Sequence, residues 1–347
     1  MKLRKLLYPF SMLYGGITTL RNLCFDRGVL RSQTYSLPII SVGNITVGGT
    51  GKTPLSEYII RLLTDDFKLC LLSRGYKRRT QGALLADAGS TAHTIGDEPF
   101  QVKQKFPGID VVVAEKRVEG MALIQKYTQA QVVLMDDAYQ HRYVKPGLSI
   151  LVIDYNRPMW DDCVFPAGRL RETARGQARA HLIVVNKCPA TLTEEQRAQW
   201  ISKLSPRDDQ QVFFTSIVYG SPQSLGASGK LASGTRVLAL AGIARPAPFF
   251  EYVSKHYKVE DTLIYPDHHD FSSGDEEQIA SSLENCGVDT LLTTEKDAVR
   301  MVHMPEEIQE KCWYVPIGLK VLFDEERQFK NKIYDYVRTN ESNRRLP

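Results

Sequence analysis

The sequence lacks an uncharged apolar run long enough to cross a bilayer. Its N-terminal candidate, Leu6 to Leu20, falls short of the ~20 residues a spanning helix needs and carries Pro9 and Gly15-Gly16. That run ends on Arg21-Asn22 rather than on a small-x-small cleavage site, which argues against a secretory leader. Cysteine is sparse and scattered, at positions 24, 70, 163, 188, 286 and 312, with no C-x-x-C and no zinc-finger spacing. A disulfide scaffold and a zinc module are thereby excluded, and reduced thiols in a cytosolic compartment are expected. Internal repeats and low-complexity tracts are also missing, and 43% hydrophobic with 24% charged residues is a globular composition. A basic surface of the kind that binds nucleic acid is not indicated. Residues 1–32 hold six basic side chains against Asp26 alone, a surplus larger than the net +4 of the whole chain.

What is present begins with that basic segment. Leu3, Leu6, Leu7, Phe10, Leu13, Tyr14, Ile17 and Leu20 recur at helical spacing behind Lys2, Arg4 and Lys5. Two readings fit this amphipathic helix: packing on the protein's own core, or lying in an anionic membrane surface with basic residues on headgroups. The concentration of charge favours the membrane, so residues 1–32 are expected to be a membrane-associating helix. Apolar strand candidates at 37–43, 68–73, 110–114, 131–135, 149–154, 181–185 and 211–216 follow, several separated by helical stretches. Such alternation predicts an α/β fold with a parallel sheet covered on both faces. The Gly/Ser/Pro-rich stretch 217–234, with 347 residues being too many for one ordinary core, predicts two α/β/α domains, 33–220 and 221–347. The second has strands near 236–241, 289–294 and 312–316, helices near 246–257 and 275–285, and a charged helical tail after 324. It is expected to close over the active-site cleft.

The first strand runs into Thr46-Val47-Gly48-Gly49-Thr50-Gly51-Lys52-Thr53, and Pro54 follows where the first turn of a helix tolerates it. Strand, glycine loop and helix in this order form a phosphate-binding loop. Backbone N–H groups and the helix N-terminus would cradle a triphosphate, Lys52 would reach the β/γ-phosphates, and Thr53 would ligate Mg²⁺. The strict pattern has glycine where Thr46 stands. Residues 132–137 end an apolar strand in Asp136-Asp137, which makes Asp136 the expected metal or metal-water ligand. Asp97-Glu98-Pro99 before a helix reads as an ordinary N-terminal turn or as a carboxylate pair, one for metal and one for an acceptor hydroxyl. Arg117 and either Arg169 or Arg171 could neutralise phosphate charge. His268-His269, flanked by Asp267 and Asp270, could be a surface pair, a metal site, or a histidine tuning a carboxylate across the cleft. Spacing alone does not select among these.

Two rival classes are weakened by what is missing. Val184-Val185-Asn186-Lys187 resembles the guanine-reading motif of GTPases, but Pro189 stands where the ring-reading carboxylate belongs, so ATP is favoured. A membrane helix with a phosphate loop also suits partitioning ATPases, whose signature lysine is replaced by Val47. A phosphate-loop switch or metallochaperone GTPase remains the alternative.

The set Val42-Gly43-Asn44, Gly48 to Pro54, Ser73-Arg74-Gly75-Tyr76, Gly96-Asp97-Glu98-Pro99, Asp136 to Arg142, Gly168 to Glu172, Asp267-His268-His269 and Thr294 to Ala298 resembles the tetraacyldisaccharide 4'-kinase family of lipid A biosynthesis. The resemblance implies transfer of the γ-phosphoryl of ATP to the 4'-hydroxyl of a tetraacyl glucosamine disaccharide 1-phosphate, giving lipid IVA. It implies a catalytic dyad of Asp97 and His268, with Lys52 assisting, and Mg²⁺ held near Thr53, Glu98 and Asp136. It further implies nucleotide or acceptor contacts by Arg117, Asp137, Gln140, His141, Arg171 and Glu172. An acylated acceptor places the enzyme peripherally on the cytoplasmic face of the inner membrane, with no obligatory protein partner.

Overall fold

The computed structural model describes residues 2–226 and 229–345, with side chains from Leu6 to Asn340. The Lys2, Arg4 and Lys5 side chains, and Ala227-Ser228 of the expected linker, lie outside the described residues. The first part of the chain runs α1 (Lys2–Asp26), β1 (Ile39–Gly43), α2 (Lys52–Leu63), β2 (Leu69–Ser73), β3 (Leu84–Leu85), α3 (Ala92–Ile95), α4 (Asp97–Lys105), β4 (Asp110–Val113), α5 (Arg117–Tyr127), β5 (Val132–Asp136), β6 (Leu148–Asp154), β7 (Leu182–Asn186), α6 (Glu194–Leu204) and β8 (Gln211–Tyr219). It continues through β9 (Gln223–Ser224), β10 (Arg236–Ala241), α7 (Ala247–His256), β11 (Lys258–Ile264), α8 (Ser273–Cys286), β12 (Leu291–Thr294), α9 (Glu295–Met301), α10 (Glu306–Lys311), β13 (Cys312–Val315), β14 (Ile317–Val321) and α11 (Glu326–Arg345).

The strands form two sheets. The larger has the order β14-β8-β7-β6-β1-β5-β2-β4-β3 and is parallel except for its two edges. Its inner strands are buried along their whole length, as near-continuous apolar runs require when helices cover both faces. Alternate residues feed different layers. Val42, Leu134 and Ile150 pack with α2 and with Phe329, Ile333 and Val337 of α11. Ile39, Val112 and Val133 pack with Met121 and Ile124 of α5. The smaller sheet has the order β11-β10-β12-β13-β9.

The structure departs from the expected division at 220/221. β14 pairs antiparallel with β8, and α11 buries its apolar face on the larger sheet, so the last segment of the chain returns to the first sheet. β11 also escapes the sequence pattern. It is an edge strand whose largely polar residues Lys258 to Ile264 have only Leu263 buried, so no apolar run marks it.

α1 is continuous through Pro9, and its large apolar side chains turn away from the protein. Ser11, Gly15 and Phe25 face the protein, whereas Leu6, Phe10, Met12, Leu13, Ile17 and Leu20 are exposed. Polar links hold the inner side. Ala167 N donates to Ser11 Oγ at 2.8 Å, Asn22 Nδ2 donates to Glu172 Oε2 at 2.8 Å, and Arg142 donates to the Asn22 carbonyl at 2.9 Å. Among the described residues, no helix is long and apolar enough to cross a membrane.

Candidate active site

The site lies at the carboxyl ends of β1 and β5, adjacent parallel strands whose register sets Val42 beside Asp136. This is the edge of an open α/β sheet where ligands bind. Gly48 and Gly51 have φ of 102° and 90°, conformations that a side chain resists. At Gly51 a Cβ would overlap the Asn186 amide, because Asn186 Nδ2 donates to the carbonyls of Thr50 and Gly51 at 3.2 and 3.3 Å. The Lys187 ammonium bonds the Gly49 carbonyl and sits 3.1 Å from Asp154. The motif that fails as a guanine reader is thus a brace that turns the loop's carbonyls outward. On the loop's other side Val47 N donates to the Arg169 carbonyl, and Asn44 Nδ2 donates to Thr50 Oγ1. Asn44 Oδ1 is buried without a partner among the described residues.

Four charged groups converge beside the loop. Lys52 Nζ lies 3.5 Å from Asp137, which also takes Arg171 at 2.9 Å. Burial would raise the Asp137 carboxyl, but Lys52 and Arg171 outweigh it and hold it below the usual range. Asp136 behaves oppositely. Its burial, and then the negative charge of Glu98, raise it despite Lys52 and a 3.0 Å hydrogen bond from Ser56 Oγ. A buried carboxylate repelled by another carboxylate is an arrangement a divalent cation relieves. No three His, Cys, Asp or Glu side chains form a ready cage among the described residues. Mg²⁺ takes one or two carboxylates and completes its shell with phosphate and water. The residues therefore fit a magnesium–nucleotide pair.

Gly96 is the N-cap of α4, so Asp97 is not a capping residue; its carboxylate is free for another partner. That partner is His268 of the second-sheet unit, whose Nδ1 is 2.8 Å from Asp97 Oδ2. His268 adopts φ 61°, and its ring meets Tyr76 edge-on. Burial pushes the Asp97 carboxyl up, yet the His268 hydrogen bond with the charges of Arg300 and Lys296 brings it below its ordinary value. Asp97 is thus held as an anion one residue from Glu98.

The remaining expected contacts divide. Arg171 points at Asp137, whereas Arg169 is exposed and serves the loop through its backbone. His141 is half-buried, and burial followed by the Arg117 and Arg74 charges lowers it to about 4, so it is neutral at pH 7. Arg117, Gln140 and Glu172 are engaged within the protein itself. Arg117 bonds the Ala114 and Asp136 carbonyls, and Gln140 Nε2 bonds the Asn44 carbonyl and Glu172. Glu172 also takes Arg179 and Asn22. Gln140 and Glu172 thus tie the start of the loop to α1. Thr53 is the second residue of α2, and Glu98 lies near enough for its charge to raise Asp136; the side-chain hydrogen bond to Asp136 comes from Ser56, which the sequence reading passed over. Lys296 was also missed as an individual residue, although it lies in a motif of the resemblance. It meets His268 Nε2 at 3.0 Å and Asp267 at 3.0 Å.

Comparison with known proteins covers nearly the whole chain. Residues 3–338 match the family model described as tetraacyldisaccharide-1-P 4'-kinase. A tetraacyldisaccharide 4'-kinase of Flavobacterium johnsoniae is 43% identical over 344 residues, 97% of this chain and 98% of that protein. Its counterpart in Bacteroides thetaiotaomicron is 41% identical over 362 residues, 99% of this chain and 95% of that protein. A crystal structure of LpxK from Aquifex aeolicus in complex with ATP superposes with a TM-score of 0.75 at 27% identity, covering 96% of this chain and 99% of that one.

Proposed function

The chain belongs to the tetraacyldisaccharide-1-P 4'-kinase family, and we propose that Asp97, held by His268, accepts the proton of the hydroxyl it phosphorylates. It is an ATP-dependent phosphotransferase acting on an alcohol, and its acceptor is a tetraacyldisaccharide phosphate. The observation that carries the proposed roles is the Asp97–His268 hydrogen bond, which joins the two sheets beside the phosphate loop.

In this reading, loop residues 46–53 hold the triphosphate through backbone N–H groups and the start of α2. Lys52 exchanges its Asp137 contact for the β/γ-phosphates, while Arg171 remains to balance Asp137. Thr53, Glu98 and Asp136 would hold Mg²⁺, which supplies neutralisation of the charge on the transferring phosphate. The 4'-oxygen forms its bond to the γ-phosphorus as the bond to the ADP oxygen breaks, and the hydroxyl proton passes to Asp97. A low-basicity carboxylate suits a loose transition state, in which the proton leaves late and orientation matters most.

The outward apolar residues of α1 support seating the enzyme on a membrane surface, where an acylated acceptor resides. The scattered cysteines, with no C-x-x-C spacing, support a reducing compartment, consistent with work at a cytoplasmic face.

The test uses ATP labelled at the γ-phosphate and the acylated disaccharide 1-phosphate in detergent. The wild type should yield labelled lipid. Asp97→Ala should lower kcat by about 10²–10⁴-fold, with ATP affinity nearly unchanged. A variant that loses only thermal stability and keeps its turnover would return Asp97 to the role of a helix-end residue.

A further inference from the structure

We propose that Lys296 is a positioning residue that fixes the protonation form of His268 and so keeps Asp97 as the sole proton acceptor. The inference rests on the Asp97 role above and extends it to a residue on another helix. Lys296 is the second residue of α9, a helix of the second-sheet unit, and its Nζ contacts His268 Nε2 and Asp267 Oδ1, each at 3.0 Å. A lysine ammonium has three donors and no acceptor. The ring nitrogen it meets must therefore be the bare one. The single ring proton is then on Nδ1, where it is donated to Asp97 Oδ2 at 2.8 Å.

This assignment has a chemical consequence. With Nε2 occupied by a donor, the imidazole has no vacant site for a second proton. It cannot relay the acceptor's proton onward; it can only orient the carboxylate. The proton taken from the hydroxyl stays on Asp97 until the product leaves. If Nε2 were free, the ring could become an imidazolium beside Asp97, and the carboxylate would be a still poorer proton acceptor.

The surroundings are built to hold this contact. The groups facing His268 are Asp97 from α4, Lys296 from α9, Asp267 in its own loop, whose Oδ2 is 4.0 Å away, and the Tyr76 ring. The Arg300 charge acts on both Asp97 and Asp267. α9 grips the loop a turn further on, because Arg300 donates to the His269 carbonyl at 2.8 Å and to the Gly242 carbonyl at 3.2 Å. Asp297 accepts from Gly242 N at 2.9 Å. One helix thus fixes both the backbone and the tautomer of the histidine, and the positive φ of His268 aims the ring between the two units.

The experiment is long-range ¹H–¹⁵N correlation on protein labelled at histidine, with His268 assigned by its loss in His268→Gln. Wild-type protein at neutral pH should show a protonated Nδ1 and a bare Nε2. In Lys296→Met, Nε2 should gain a proton, and kcat should fall about tenfold or more while KM for ATP stays within about twofold. Lys296→Arg keeps a donor at Nε2 and should restore the wild-type signature with part of the turnover. A protonated Nε2 in the wild type overturns the proposal without any variant. So does a Lys296→Met protein in which either the ring signature or kcat is unchanged. Failure of the Asp97 reading is seen separately, as undiminished turnover in Asp97→Ala with the ring signature intact.

Discussion

His141 shows how a single residue reports its surroundings. It sits half-buried near Arg74 and Arg117, and burial followed by those charges lowers it to about 4. In the unfolded chain it titrates near ~6.5. Between these values the unfolded state binds the proton and the native state does not. Stability therefore falls as pH drops below about 6.5 and levels off below about 4, a loss on the order of 3 kcal/mol. Urea unfolding at pH 7 and pH 4.5 checks this, since His141→Asn should show a smaller drop than wild type. Equal drops would assign the acid sensitivity elsewhere. At the same scale, Asp97 shows the limit of local reading. Its sequence context suits a helix start as well as a catalytic carboxylate, and only the His268 contact separates the two.

At the scale of elements, α1 is the informative case. The leucine-rich periodicity was legible, but a period does not say which face meets the protein. Here the inner face is small and polar and the large side chains point out. Full burial of Leu13, Ile17 and Leu20 in lipid would be worth roughly 4–9 kcal/mol together. Replacing all three by Ser should lower co-sedimentation with anionic vesicles by at least about 100-fold. Phosphorylation of a detergent-dispersed acceptor should be little affected, because none of the three bonds the phosphate loop. Undiminished vesicle binding would move the membrane contact to another surface. The phosphate loop is the opposite case, since strand, loop and helix are contiguous and Gly48 and Gly51 stand where φ is positive.

At the scale of the molecule, two polar links join the sheets across α4. One end of that helix carries Asp97 to His268. Its other end carries Lys105, which bonds Glu57 of α2 at 2.6 Å and Glu295 of α9. Gln101 completes Glu57, and Ile317 N donates to Glu295 at 3.3 Å. Burial raises the Glu57 carboxyl, and Lys105 opposes it. Lys105→Met would leave two buried carboxylates facing each other and should cost about 3–5 kcal/mol. Denaturant unfolding measures this, and a loss below about 1 kcal/mol would mean the cluster is already solvated. The sequence by itself determined the α/β class, the phosphate loop and the acid at the end of β5, because each is written in contiguous residues with a period or a turn. Only the tertiary structure decided that His268 meets a carboxylate 171 positions away, that Lys296 closes its far nitrogen, that Asn186 braces the loop, and that residues 317–345 return to the first sheet. Those pairings depend on how distant strands and helices stack, and a distant contact leaves no local signature in the chain.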